Sequence, residues 1–312
     1  MAQATLPYDH APLHSGGQTI PARPRRIRSV RLAALTLSII TLVLGGCATT
    51  GPRTSGACEP PIDQLTLLRE AADTEALYTL AGGLKPMSSG FWRCTFEADD
   101  PDQVELERVR EMLRVLCNDV WYADIQIFEK IHDGERNAHA FVVHQNALAG
   151  MIDRHESFWS EWNITPETHP TELVEIVDRM PRADRWRGYG YLYGYPDEAV
   201  DFFVEAGVAA DDGREMGPGK DRQFMQIPTY AAETGHFTYA VPLEHVPTPT
   251  DQALAEGAAR ILDAYEERRP RMLDAGSTVE VLLELNMDFE HRPIDERIHA
   301  VTPVTSGAPT AR

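Results

Sequence analysis

The chain has 312 residues, of which 43% are hydrophobic, and carries a formal net charge of -19 at neutral pH. This length is sufficient for one large hydrophobic core or two smaller ones. The negative charge excludes nucleic acid as a partner, because phosphates repel it, and opposes electrostatic binding to anionic lipid.

The N-terminal segment combines positive charge with a short apolar run. Five arginines lie between residues 23 and 31, and the uncharged stretch from Leu32 to Leu44 follows them directly. This stretch has 13 residues, whereas a helix that spans a bilayer needs about 20. Positive, apolar and small residues in this order are typical of a signal peptide.

The four residues Leu44-Gly45-Gly46-Cys47 resemble the lipobox of bacterial lipoproteins. The resemblance covers residues 23–47 only. It implies that Cys47 receives a lipid, that residues 1–46 are removed, and that the exported protein is anchored in a membrane of the cell envelope. Ala48 stands where an aspartate would retain the protein at the inner membrane, so the resemblance favours the outer membrane, with the protein facing the periplasm or the cell surface.

Removal of residues 1–46, which hold five arginines and one aspartate, would change the formal charge to -23. Membrane contact would then come from the lipid alone. Residues 47–61 are rich in Thr, Gly, Ser and Pro, which predicts a flexible tether. Residues 303–312 are predicted to form a disordered tail.

Three cysteines remain besides Cys47, namely Cys58, Cys94 and Cys117. In an exported protein they permit one disulfide and one odd thiol, and the sequence does not decide the pairing. Their spacing matches no zinc motif. We therefore predict neither a metal site nor a cofactor.

The polar loop from Gly82 to Gly90 has two interpretations. Its two glycines are typical of a helix C-terminus, and a cap followed by a turn is the favoured interpretation. The loop also presents Lys85 and Ser88, and the lysine could bind an anion or polarise a carbonyl group.

Periodicity and turn residues predict the remaining elements. In chain order these are a strand over 90–96, a helix from 101, a hairpin of strands 123–132 and 137–144 around Asp133-Gly134, a helix over 148–159, a strand over 187–195, a helix from 196, a hairpin of strands 222–230 and 236–243, and a helix after Thr248. Residues 90–160 and 187–269 thus share the order strand, helix, hairpin, helix.

One such unit leaves a sheet face exposed, and pairing two units would bury both faces. The sequence therefore predicts an α+β fold with antiparallel or mixed sheets flanked by helices. We expect one globular domain over 62–302, with pseudo-symmetric halves at about 62–180 and 181–302. The hairpins exclude an all-parallel sheet.

Histidines supply the main catalytic candidates. His144 ends a predicted strand just before a helix, and His245 is placed similarly in the second half. If the two converged, their imidazoles could shuttle protons or bind a metal, but two unrelated surface histidines are the favoured interpretation. His155 begins a motif like that of zinc proteases but lacks the second histidine, and its place on an apolar stripe favours a core or edge position.

Four tyrosines alternate along the predicted strand 187–195, so one face would carry four phenol rings: Tyr189, Tyr191, Tyr193 and Tyr195. Such a strip can stack on sugars or contact peptides, or it can pack beneath a helix. The sequence does not decide between these alternatives.

Two functional hypotheses follow. The first is a non-catalytic envelope lipoprotein that binds an envelope protein or a glycan through the tyrosine strand and the cleft between the halves, with His245 as a further binding candidate. The alternative is a periplasmic hydrolase in which His144 acts with Lys85 or Ser88. A base and its partner must approach within hydrogen-bond distance, which gives the structural test of the alternative.

Overall fold

The computed structural model describes residues 18–19, 63–99, 103–211 and 222–290. Cys47, Cys58, the tether 47–61, the tail 303–312 and, apart from residues 18–19, the predicted signal peptide lie outside the described residues. Within the described ranges, no helix is both long enough and apolar enough to cross a bilayer.

Ten α-helices lie in the described part of the chain. They are α1 (Gln64–Asp73), α2 (Leu77–Leu80), α3 (Gln103–Leu113), α4 (Gln145–Arg154), α5 (Glu156–Trp159), α6 (Pro170–Arg179), α7 (Arg182–Leu192), α8 (Asp197–Asp211), α9 (Pro249–Arg268) and α10 (Ala275–Glu290). Short 3-10 turns extend α3, α5 and α9 at their C-terminal ends.

The strands form two small sheets. They are β1 (Gln18–Thr19), β2 (Met87–Glu97), β3 (Trp121–Ile127), β4 (Glu135–His144), β5 (Arg222–Ile227) and β6 (Phe237–Pro242). The first sheet is antiparallel in the order β2-β4-β3. In the second, β5 pairs antiparallel with β6 and parallel with the two-residue β1. The predicted α+β fold with sheets flanked by helices is confirmed.

Local chemistry explains the turn of the first hairpin and the start of α9. Asp133 and Gly134 adopt positive φ angles of 52° and 88°, which a tight turn between β3 and β4 requires. Thr248 caps α9, since its hydroxyl accepts from the Asp251 amide while the Asp251 carboxylate accepts from the Thr248 amide. These features confirm the predicted hairpin and helix start.

The strand predicted over 187–195 is wrong, because these residues form α7 and the turn that follows it. Neighbouring helices account for the two glycines of α7. A side chain at Gly190 would place its Cβ 2.7 Å from Val200 of α8, and one at Gly188 would come within 3.2 Å of Val177 of α6. The glycines therefore permit close helix packing rather than forming one bare face of a strand.

The predicted repeat is consequently incomplete. The first half contains β2, α3, the β3–β4 hairpin and α4, in the expected order. The second half begins with a helix, α7, where the repeat requires a strand, and continues with α8, the β5–β6 hairpin and α9.

Both faces of the first sheet are buried. Ala138, Ala140 and Val142 of β4 join the main hydrophobic core with α1, α2, α3, α9, α10 and the second sheet. Phe141 and Val143 point to the other side, into a second core formed with α4 to α7. Residues from both predicted halves thus share the main core, and Leu67 and Leu285 are both members of it.

An ion pair also joins chain-distant helices. The Asp73 carboxylate, at the end of α1, accepts two hydrogen bonds from Arg269, each of 2.7 Å. It accepts a third bond of 2.6 Å from the Tyr265 hydroxyl of α9. The contact fastens the first helix of the body to the end of α9.

Candidate functional site

Lys85 is fully buried and paired with Glu75. The Nζ–Oε2 distance is 2.5 Å, and the Glu75 side chain is only 6% exposed. The ammonium group also lies 4.4 Å from the ring centroid of Phe237 and 5.5 Å from that of Tyr193. Burial lowers the pKa of Lys85, while the Glu75 carboxylate opposes this shift. The lysine is thus part of the core rather than of an open anion site.

Ser88 is equally enclosed. Its hydroxyl lies 2.8 Å from the Thr79 hydroxyl and 3.2 Å from the backbone carbonyl of Glu75. The preceding turn has the conformation expected of a helix end, with positive φ angles at Gly82 and Gly83. The favoured interpretation of this loop as a helix cap and turn agrees with these contacts.

His144 caps a helix from a buried position. Its Nδ1 accepts from the amide of Ala147, 3.2 Å away, so its Nε2 donates to Asn286 Oδ1 at 2.9 Å. The Asn286 oxygen also accepts from the Gly82 amide. The histidine is 2% exposed, and burial lowers its pKa despite the bond to Asn286 and the charge of Glu290. Both ring nitrogens are therefore occupied by structural partners.

The three predicted catalytic residues do not form a catalytic arrangement. Among the described residues, no hydrogen bond joins His144 to Lys85 or to Ser88, and each side chain is satisfied by another group. A nucleophile and its base must lie within hydrogen-bond reach. The buried positions of all three also separate them from substrate.

The predicted tyrosine strip is replaced by an aromatic chain inside the molecule. Tyr189 of α7 and Tyr193, which directly follows that helix, stack at 5.7 Å between ring centroids. The ring of Tyr193 contacts that of Tyr195, which in turn contacts Phe237 of β6 at 6.1 Å. Tyr189 and Tyr193 are buried, and burial raises the pKa of each phenol. These rings therefore pack between the two sheets.

Tyr191 is half-buried, and its ring does not join the stacked rings of Tyr189, Tyr193 and Tyr195. Its ring stacks on His155 with centroids 3.8 Å apart and planes 8° apart. Its hydroxyl accepts from Arg187 at 3.2 Å. His155 lies at the edge of the apolar stripe, as the favoured interpretation expects, with its Nε2 3.5 Å from the exposed Asp197 carboxylate. Because Tyr189 and Tyr193 are buried, a sugar or peptide could contact only the partly exposed Tyr191 and Tyr195 of these four tyrosines.

His245 belongs to a different polar cluster. Its Nε2 lies 2.8 Å from Asp251 Oδ2, and its side chain is 14% exposed. Asp251 Oδ1 accepts from the Tyr239 hydroxyl at 2.6 Å. Burial raises the pKa of Asp251, but bonds from Tyr239, Thr248 and His245 outweigh it and hold that pKa below its usual value.

The His245–Asp251 pair has the form of a base held by a carboxylate, and the sequence did not reveal it. The capping box at the start of α9 could have indicated this pair. Asp251 is the third helical residue after the Thr248 cap, so its side chain points back toward the residues before α9. His144 and His245 bond to different partners and do not meet. Within the described ranges, no serine or cysteine side chain is hydrogen-bonded to His245.

The cysteines of the described part differ in state. Cys94 of β2 is disulfide-bonded and 1% exposed. Cys117 is a free, exposed thiol that donates weakly to the Ala123 carbonyl at 3.3 Å. The described ranges hold no cluster of three metal-binding side chains. No protein-family model, curated protein or solved structure matches this chain.

Proposed function

We propose that this protein is an exported lipoprotein, anchored through a lipid on Cys47, whose folded body serves as a non-catalytic binding or structural module of the cell envelope. The segment from residue 23 to Cys47 carries the proposal, because its charge, apolar length and Leu44-Gly45-Gly46-Cys47 ending have the order of a lipoprotein signal. By the same resemblance, we propose the outer membrane as its location.

The disulfide at Cys94 supports export independently of this signal. Disulfides persist in oxidising compartments such as the periplasm and are rare in the cytosol. Cys94 lies in β2 of the folded body, whereas the lipobox resemblance concerns only the N-terminal segment.

The contacts of the candidate catalytic residues support a non-catalytic body. Lys85, Ser88 and His144 are buried and engaged in the structural bonds described above. Of the candidates for binding, Tyr191, Tyr195 and His245 retain partial exposure. We propose that contact with an envelope protein or a glycan uses the outer edge at Tyr191, where His155 holds the phenol ring in place.

Labelling of cells with a palmitate analogue tests the anchor. We expect the parent protein to incorporate the label and to partition into detergent, and Cys47→Ala to do neither. Cys117→Ala is the matched control, since it removes a cysteine whose thiol is free and should label like the parent. A Cys47→Ala protein that still labels would overturn the proposed anchor.

A further inference from the structure

Polar side chains of α7 and α8 meet beside His155. Arg187 and Tyr191 are four residues apart on α7 and so share one face of that helix. Asp197 and Asp201 are spaced in the same way on α8. The Arg187 guanidinium donates both to the Tyr191 hydroxyl and to the Asp201 carboxylate, which joins the two faces. His155 completes the group, since its ring stacks on Tyr191 and its Nε2 lies 3.5 Å from Asp197 Oδ1. These five residues make up the outer edge proposed above as a binding surface.

The outer edge has hydrogen-bonding capacity that the described residues leave open. Arg187 uses only Nη1 in its two bonds, so Nε and Nη2 have no partner within the described ranges. The Tyr191 hydroxyl accepts from Arg187 and, among the same residues, donates to none. The side chains of Asp197 and Asp201 are 59% and 54% exposed, and no hydrogen bond from the described residues reaches Oδ2 of either. The edge therefore offers donors from α7 and acceptors from α8 to a ligand.

The charged groups of the outer edge balance one another. Burial lowers the pKa of His155, so its ring is neutral at pH 7. Two arginines and two aspartates act electrostatically on this ring, namely Arg154, Arg187, Asp197 and Asp201. Among these groups there is no excess of positive charge that would hold a phosphate, sulfate or carboxylate group. An uncharged ligand with several hydroxyl groups suits the edge better.

We propose that the outer edge binds a neutral saccharide, an inference that rests on the proposed binding function and names its ligand. Each sugar hydroxyl can both donate and accept, so one hydroxyl donates to Asp201 while its neighbour accepts from Arg187. The half-buried rings of Tyr191 and Phe158 supply apolar surface for the C–H groups of the sugar. Because Asp201 already holds Arg187 and His155 already holds Tyr191, binding immobilises few free side chains.

A peptide suits this edge less well than a saccharide. A peptide that adds to a sheet requires an open strand edge, whereas helices and their ends form this surface. A peptide that binds as an amphipathic helix requires an apolar groove. Of the described side chains, no large hydrophobic one is exposed on α4, α5 or α7, and α8 exposes only Val208, seven residues beyond Asp201. The exposed surface is thus mainly polar.

Binding to immobilised saccharides tests the ligand class. The full-length protein, purified from membranes in detergent, is applied to neutral oligosaccharides of glucose, galactose, mannose and N-acetylglucosamine, and to sulfated and phosphorylated forms of the same sugars. We expect retention on at least one neutral saccharide. Retention on none of them, or on the charged forms alone, would overturn the proposal.

Asp201→Asn tests the site. This variant loses the charged acceptor, so its affinity for the retained saccharide should fall roughly tenfold or more. Asp263→Asn is the matched control, because it makes the same change at another exposed helical aspartate, on α9, and should alter affinity by less than about twofold. Equal affinities in the two variants would overturn the assignment.

Imidazole NMR of the parent locates the ligand without any substitution at Asp201. The saccharide should shift the ring C–H resonances of His155, which contacts both Tyr191 and Asp197, and leave those of His245 unchanged. The two sets of resonances are identified by their loss in His155→Gln and His245→Gln. Binding without a shift at His155 would place the ligand elsewhere and overturn the proposal.

These outcomes separate the ligand from the proposed function. A palmitate-labelled protein that binds no neutral saccharide would overturn the ligand class alone. A protein that binds the saccharide at His155 but takes up no palmitate would support the ligand and overturn the anchor. Shortened saccharide released during incubation, detected by chromatography, would support the site and overturn the non-catalytic role.

Discussion

Glu75 and Lys85 form an ion pair that is almost completely removed from water, with 2.5 Å between Oε2 and Nζ. Glu75 lies between α1 and α2, and Lys85 lies in the loop that leads into β2. The pair therefore fixes the start of the first sheet to the helices that cover it, while the rings of Phe237 and Tyr193 close it off.

Breaking this pair should destabilise the protein strongly. Glu75→Gln leaves Lys85 buried without a counter-charge, and loss of one partner of a buried pair costs about 3–5 kcal/mol. The double variant Glu75→Leu/Lys85→Met removes both charges, so we expect it to lose less stability than Glu75→Gln. Urea denaturation at pH 7 measures both free energies of unfolding.

An exposed pair provides the control for that experiment. Glu111 and Arg114 lie 2.9 Å apart, and both side chains are about 70% exposed. Glu111→Gln should leave the free energy of unfolding nearly unchanged, because solvent screens such pairs. Equal losses at Glu75 and Glu111 would show that the burial of Lys85 contributes nothing.

Stability should fall as the pH drops below about 6.5, in part because of His139. Burial, together with the charge of Arg93, lowers the pKa of this histidine from 6.5 to about 3. The unfolded chain therefore binds a proton before the folded one does. The contribution of His139 is complete above pH 6.5 and is lost progressively toward pH 3, at up to about 1.4 kcal/mol per pH unit.

His139→Gln removes this linkage. Urea midpoints of the parent and the variant between pH 7 and pH 5 should diverge in slope, the variant losing less stability per pH unit. Comparing the two proteins cancels the carboxylates that titrate in both. Identical slopes would contradict the lowered pKa of His139.

Two helix glycines should respond oppositely to alanine. A Cβ at Gly207 of α8 would lie 2.0 Å from the buried ring of Trp186, whereas one at Gly150 of α4 would have no atom within 4 Å. We expect Gly207→Ala to cost about 1–3 kcal/mol through overpacking. Gly150→Ala should stabilise the protein by about 0.5–1 kcal/mol, because alanine favours helix. Urea denaturation measures the free energy of unfolding of both variants. A stabilised Gly207→Ala variant would contradict the close packing of α7 and α8.

Features fixed by a few neighbouring residues could be predicted from the sequence. Asp133-Gly134 specifies the first hairpin turn, and Thr248 with Asp251 specifies the start of α9, because these residues satisfy their own backbone groups. The turn of the first hairpin and the start of α9 therefore follow from local patterns.

Features that depend on distant packing could not be predicted in this way. The alternation of tyrosine and glycine over 188–195 is equally compatible with a strand, and the close approach of Val177 and Val200, which accounts for the glycines, is a contact between distant segments. Likewise, no local signal shows that Lys85 meets Glu75 away from water or that His144 bonds to Asn286, 142 residues further along the chain. In these contacts, two of the predicted catalytic residues, Lys85 and His144, are bound to structural partners.

The bond between Asp73 and Arg269 bears on what would happen if the chain were cut. The two residues are 196 positions apart, and the cores around them draw on both halves of the sequence. A single break in the backbone between the halves would leave both pieces bound to each other through this ion pair and the shared core. We therefore expect the body to behave as one unit and not as two separate modules. Its two fragments should bind each other and restore the fold.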